Sequence, residues 1–304
     1  MSSAAPPPIT LSPLPLPPPH QAQRVRLMTA PAGVRAVFAE PGPAAVPGPA
    51  PPLLIESVDP AAAARTVTSH FNVPRLLRDI PEWDVAPGPA GQPRLVIAKF
   101  GGALHSLSVL AGATEQPLIP PRASDDLLDP RFVRGARAAG GVTALVGDRQ
   151  VVLFLAEPGG GYARAQTLLS GDKLDGALLL GGAAGWTLLV RRQELGPRRG
   201  RFPGVLEAHP LGANLAPAGA AFPVFGAERI FDFDADVTQG GIAVLAITRQ
   251  GFALARLVPG QPPRVEHQAH PAPMEMVSVA AAGPALHVSF LSPQGGILLG
   301  LIPS

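Results

Sequence analysis

Six times along this chain an apolar strand runs into a polar or glycine-rich turn and out into a second apolar strand, and two of the junctions are spelled almost alike. Val37-Phe38-Ala39-Glu40-Pro41-Gly42 recurs as Leu153-Phe154-Leu155-Ala156-Glu157-Pro158-Gly159. Related junctions stand at 108–112, 190–196, 247–251 and 290–295, and Ala103-Leu104-His105 is echoed by Ala285-Leu286-His287. A hairpin cannot bury its own apolar face, so repetition every few tens of residues requires the units to pack on one another. In the register of these echoes, Phe38 and Phe154 should occupy equivalent positions between neighbouring sheets, and His105 and His287 another equivalent pair.

The composition supplies the material for such an array. Of the 304 residues 46% are apolar and only 15% charged, which leaves ample core and no case for general disorder. The 39 prolines and 34 glycines fall mostly between apolar runs, where tight reversals are needed and a missing N–H disrupts no ladder. With no cysteine, disulfides, thiolate nucleophiles and thiolate-held metals are excluded. A net charge of +2, with lysine only at Lys99 and Lys173, gives no nucleic-acid footprint. No run of about 18 apolar residues is present to cross a membrane, and the first residues lack the basic and apolar regions of a secretory signal. The expectation is a cytoplasmic protein without a membrane partner.

Residues 1–22 are proline-rich, with Pro6-Pro7-Pro8 and Leu14-Pro15-Leu16-Pro17-Pro18-Pro19, and read as an extended tail or strap. From 23 to 304 the chain reads as a single domain. Val25-Arg26-Leu27-Met28, Val34 to Phe38 and Leu53-Leu54-Ile55 form a meander. The stretch at about 59–90 reads as an insertion with a short helix, or as a degenerate blade: Asp59 can cap, Pro60 suits a first helical turn, and Ala61 to Thr66 favour helix. Helix is expected within 59–80, and again at 124–138, where Ser124 can cap and Asp125 and Asp126 occupy a first turn.

Each unit contains three clear strands and in places a weaker fourth, such as Arg264-Val265-Glu266-His267. This resembles the blade of a β-propeller, at the level of fold only and over about residues 24–304. The resemblance implies an all-β fold, a six-bladed β-propeller with short helical insertions. A seven-bladed propeller and a β-sandwich pair are the alternatives. Trp83-Asp84 is a lone Trp-Asp pair, so the repeat that carries that dipeptide in every blade is a poor match. The last unit has three strands, and a strand around Val25 to Met28 is expected to complete it and remove its open edge.

The residues with chemical potential are few. Asp232, Asp234 and Asp236 alternate with Phe231, Phe233 and Ala235, so in a strand the three carboxylates share one face; a hard-cation site there is the weaker alternative to a channel wall. Glu266-His267-Gln268-Ala269-His270 lacks the spacing with which a helix binds zinc. No nucleophile elbow or phosphate loop is present. Arg191, Arg192, Arg198, Arg199 and Arg201 concentrate charge around one turn, and Trp83 has the character of an interface anchor. With no cofactor and no metal implied, the first reading is a non-enzymatic scaffold that contacts a protein partner through the arginine turn and Trp83. The alternative is an enzyme, or a small-molecule or metal-binding protein, with its site at the mouth of the channel.

Overall fold

A computed structural model describes residues 9–42, 51–74, 82–88, 91–101, 104–123, 127–135, 140–157, 161–163, 165–182, 185–193 and 202–303. Nearly all of them lie in antiparallel strands or in the turns between strands. The first sheet is β2 (Arg24–Ala30), β3 (Gly33–Pro41), β4 (Leu53–Val58) and β5 (Thr68–Val73); the second is β6 (Glu82–Pro87), β7 (Pro93–Gly101), β8 (Leu104–Ala111) and β9 (Thr114–Ala123). A third holds β10 (Leu127–Phe132), β11 (Val142–Val146), β12 (Gln150–Phe154) and β13 (Gln166–Ser170). An eight-stranded sheet follows. It runs from β14 (Leu174–Gly182), β15 (Gly185–Gln193) and β16 (Gly204–Leu211), with β17 (Phe222–Pro223) beside β16, to β18 (Ile230–Thr238), β19 (Gly241–Thr248), β20 (Gly251–Leu257) and β21 (Arg264–Ala269). The last sheet is β22 (Met276–Ala282), β23 (Ala285–Leu291) and β24 (Ile297–Pro303), completed by β1 (Ser12–Leu14).

The strands β2, β6, β10, β14, β18 and β22 stand beside one another in chain order around the centre, and β22 returns to β2. Sheets pack face to face outward from this ring. Between the last and first sheets lie Val25, Leu27, Phe38 and Ile297, and between the first and second lie Ile55, Trp83, Val85 and Leu95. The arrangement is a β-propeller. The hydrogen-bonded sheets number four of four strands and one of eight, so the expected six do not appear as six separate sheets.

Several local expectations are corrected. No α-helix occurs among the described residues. Residues 59–66 form a turn, in which Asp59 does cap, Oδ1 accepting the Ala61 N–H at 2.9 Å, but the run is too short to propagate a helix. The second helix expectation falls on β10, where Pro130 removes the N–H a helix would need; residues 124–126 and 136–139 lie outside the described set. The stretch at 59–90, read as an insertion or a degenerate blade, supplies β5, the outer strand of the first sheet, and β6, the inner strand of the second; its residues 75–81 and 89–90 lie outside the described residues.

The ring does close with an N-terminal strand, but with a different one. Ser12–Leu14 pairs with β24, while Arg24–Ala30 is the inner strand of the first sheet. Pro13 is tolerated because β1 is an outermost strand, with one side free of ladder bonds. The strap is fastened again at Ile9, whose N–H donates to Gln268 Oε1 and whose carbonyl accepts from Gln268 Nε2, both at 2.7 Å. Phe38 and Phe154 are both buried, at 0% and 4% exposure. They are not equivalent, because β3 is a second strand and β12 a third strand of its sheet. The same offset separates His105, on the third strand β8, from His287, on the second strand β23.

Candidate active site at the channel mouth

The inner strands run parallel to one another, so they all begin on one face. Along most of its length each has an edge that faces the next inner strand without a backbone ladder, the bridge of Arg134 with Leu180 apart, and its buried N–H groups need other acceptors. Side chains supply them. Asp84 Oδ2 accepts the Phe132 N–H at 2.9 Å, Asp129 Oδ2 that of Ala177 at 2.8 Å, and Ser278 Oγ that of Leu27 at 2.9 Å. On β18, Asp232, Asp234 and Asp236 accept in turn from Val277, Val279 and Ala281 of β22, at 2.9, 3.0 and 2.8 Å. The three aspartates share a face as the alternation requires, but each is spent on stitching β18 to β22. They do not converge as a cation site.

The centre of the ring is closed by an ion network. Arg26, Arg131 and Arg134 meet Asp84 and Asp234, both carboxylates fully buried: Arg131 lies 3.5 Å from Asp234, Arg134 3.2 Å from Asp84, and Arg26 Nε 3.6 Å from Asp84. Burial opposes ionisation of Asp234, but Arg134, Arg131 and Arg26 outweigh it and hold its carboxyl below the usual range. Burial, followed by the charges of Arg131 and Arg24, lowers Arg26 to about 10, so it remains a cation near neutrality.

One layer above this plug, at the face where the inner strands begin, three successive strands are irregular in the same place. The register shifts between Leu128 and Arg131 on β10, between Leu174 and Gly176 on β14, and between Ile230 and Asp232 on β18. A bulge re-aims the side chain it contains. Here the bulges carry Asp129, Asp175 and Phe231. Asp129 is also held at φ 41°, a left-handed conformation unusual for a non-glycine residue. Gly176 lets the strands approach, since a Cβ there would stand 3.0 Å from Phe233 Cε1 and 3.4 Å from Asp129 Oδ2.

The two carboxylates are driven in opposite directions. Burial raises Asp175 above the usual range and the charge of Asp129 adds to this, against the lowering effects of Arg191 and Gln193. For Asp129 burial acts upward too, but it is outweighed by Arg131, whose Nε donates to Oδ1 at 2.8 Å, and by the Ala177 N–H, so its carboxyl lies low. Both side chains keep some solvent contact, 12% for Asp129 and 24% for Asp175. Arg24 and Glu82, 2.6 Å apart, stand at the same level on β2 and β6.

The residues singled out in the sequence are distributed differently from expectation. Arg191 is mostly buried and donates to the Phe231 carbonyl and to Asp175, which Gln193 Nε2 also reaches. It is therefore part of the mouth rather than a projecting contact. Arg192 pairs with Glu207 at 2.9 Å on the outer side. Arg198, Arg199 and Arg201 lie outside the described residues. Trp83 is fully buried between the first two sheets, with the Arg24 guanidinium 5.9 Å from its ring centroid, so it is a core residue and not a surface anchor. A contact of Ser57 Oγ with His70 Nε2 at 2.6 Å has the look of a nucleophile and base, but Ser57 is fully buried and Arg35 Nε also donates to it at 3.1 Å. Nothing in the sequence marks Asp129 or Asp175 as a catalytic candidate, although Asp175 is there as a carboxylate within reach of the arginine cluster. The only local signal is an Asp just inside the start of an inner strand.

No protein-family model matches the chain, and no curated protein sequence matches it. Solved structures do resemble it. Trypanosoma rangeli sialidase in complex with sialic acid superposes with a TM-score of 0.58 at 9% identity, over 93% of this chain and 54% of that one. The same sialidase with the inhibitor DANA gives 0.57 at 9%, over 93% and 55%. An ancestral GH74 enzyme gives 0.55 at 10%, over 92% and 42%. This chain thus spans about half the length of these structures, and at such identities the likeness is one of fold. The reading as a non-enzymatic scaffold is overturned: the solved structures named above are a sialidase and a GH74 enzyme, Trp83 is buried, and Arg191 is turned inward. No helix among the described residues is long and apolar enough to cross a membrane, which says nothing of membrane β-barrels.

Proposed function

We propose that the chain is a hydrolase of glycosidic bonds, with Asp175 as general acid and Asp129 as general base at the channel mouth. The observation that carries this reading is the opposed ionisation of two carboxylates on adjacent inner strands, each delivered by a bulge. Pairs whose surroundings push their titrations apart are the usual mark of acid–base assignments. The enzymes named among the structural neighbours, a sialidase and a GH74 enzyme, support the choice of a sugar substrate.

In the proposed reaction Asp175 gives its proton to the leaving glycosidic oxygen as the bond to the anomeric carbon breaks, with the electron pair going to that oxygen. A water oxygen bonds to the anomeric carbon and its proton passes to Asp129. Arg191 and Gln193 orient Asp175, and Arg131 keeps Asp129 ionised. The ion plug beneath gives the site a dry floor. We further count six blades, with the eight-stranded sheet as two. Support comes from the single residue pair, Gly204 with Ile230, that joins β16 to β18.

The test is hydrolysis of aryl sialosides and of α- and β-linked aryl glycosides by the purified chain. Release of the aryl group is expected from at least one class, with Asp175→Asn and Asp129→Asn each reducing kcat by about 10²–10⁴. A wild-type chain inert to the whole panel, or variants as active as it is, would overturn the assignment.

A further inference from the structure

On the same face as the mouth, but between the last and first sheets, a second polar cluster is left unused by this reading. His20 comes from the N-terminal strap, Glu40 from β3 and Glu56 from β4, and one ligand-type atom of each lies within 4.8 Å of the others. They stand in a cavity of about 760 Å³ also lined by Gln21, Gln23, Leu54 and Gln294. His20 Nδ1 is 2.9 Å from Glu40 Oε1 and 3.0 Å from Glu56 Oε2. A ring nitrogen carries at most one hydrogen, so it can satisfy only one of the two carboxylates. One of the two carboxylate oxygens must therefore go without that hydrogen, and the buried Glu56 Oε2 is left with no hydrogen-bond partner. Glu56 is 5% exposed, and a buried carboxylate oxygen without a partner is costly.

We propose that His20, Glu40 and Glu56 form a zinc site that clasps the N-terminal strap to the first sheet. A cation in place of the single proton would satisfy the imidazole lone pair and both carboxylates together. The geometry is close to what is needed: zinc bonds of about 2.0–2.1 Å in a tetrahedron set ligand atoms about 3.3 Å apart, so the present spacings of 2.9 and 3.0 Å have only to open slightly. One imidazole with two carboxylates suits zinc, whereas calcium needs six to eight oxygens and this cluster cannot supply them. The Gln21 N–H donates to Glu40 Oε2 at 3.1 Å and so orients the carboxylate, leaving Oε1 for the metal. The fourth position opens to the cavity. Because His20 precedes the first inner strand and follows β1, the metal would lock the segment that closes the ring.

The experiment uses the full chain, stripped with chelator and titrated with Zn²⁺ by calorimetry, with Ca²⁺ as comparison and Co²⁺ absorption as a reporter of coordination geometry. One equivalent of Zn²⁺ should bind, the Tm should rise with the logarithm of free Zn²⁺, and Co²⁺ should give the intense visible bands of a tetrahedral site. Glu56→Gln and His20→Asn, chosen for their similar shapes, should each weaken Zn²⁺ binding by at least tenfold and abolish the cobalt bands. A folded wild-type chain that takes up no Zn²⁺, or one whose binding is unchanged in both variants, would overturn the proposal. If a variant fails to fold, the cobalt spectrum of the wild-type chain decides alone: an octahedral spectrum, or none, counts against the site.

Discussion

The buried charges show how little a residue's type says about its task until its partners are in place. Asp234 is fully buried, lies 3.5 Å from Arg131 in the field of Arg134 and Arg26, and also accepts from Ser278 Oγ at 2.8 Å. Removing one member of a buried, hydrogen-bonded ion network strands the others, so Asp234→Ala is expected to cost about 3–5 kcal/mol in a urea titration. The pH dependence has a definite sign. Asp129 and Asp234 are held below their usual range in the folded state, so the stability they contribute is present above the unfolded value of about 3.9 and is lost as pH falls through their folded values. Asp175 and Asp236 are raised, chiefly by burial, and their protonation favours the folded state as pH first falls. Urea midpoints should therefore drop at acid pH as Asp129 and Asp234 gain protons, and Asp234→Asn should shallow the drop. For activity, the acid limb should report Asp129 gaining a proton and the alkaline limb Asp175 losing one. Gly176→Ala, which would crowd Phe233 and Asp129, should lower kcat while leaving the chain folded. Of these residues the sequence exposed only the alternation of Asp232, Asp234 and Asp236. It could not say that their acceptors face backbone N–H groups of β22 rather than a cation, because that depends on a strand some 45 residues away.

Among the elements, strands were readable and their rank within a sheet was not. The junctions at 37–42 and 153–159 look alike because every hairpin of a meander joins two half-buried strands through a turn. One connects second to third strands and the other third to fourth. Burial does not depend on that rank, so Phe38→Ala should still cost about 3–5 kcal/mol, read from chemical denaturation. The helix expectations failed where local propensity met a longer-range demand: the start of β10 was needed as an inner strand. The strap shows the converse: Ser12–Leu14 of the proline-rich segment forms a strand in an outermost place, where the missing N–H of Pro13 disrupts no ladder. Deleting residues 1–15 should leave the edge of β24 unpaired, lower the Tm and promote self-association visible by light scattering. An unchanged Tm and a monodisperse sample would show that β1 closes nothing.

The whole molecule is a ring, and its closure makes distant parts depend on one another. Arg26 near the N-terminus donates to the Val277 carbonyl at 3.2 Å, and the Leu27 N–H to Ser278, so the first inner strand is seated only when the last is in place. Heating should therefore give one calorimetric transition, with the van't Hoff and calorimetric enthalpies equal, rather than sheets melting in turn. By itself the sequence determined that the chain is built of short antiparallel strands in repeated hairpins, that proline and glycine mark the turns, and that thiol chemistry is absent. These follow from side-chain period, backbone restriction and composition, all of which act within a few residues. Only the tertiary structure decided how strands divide among sheets, which N-terminal segment closes the ring, that Trp83 is core, and that Asp129 and Asp175 meet at the mouth. Each of these depends on contacts between residues far apart in the chain, and the energies that settle them, burial of charge and satisfaction of inner-edge N–H groups, exist only once the ring has formed.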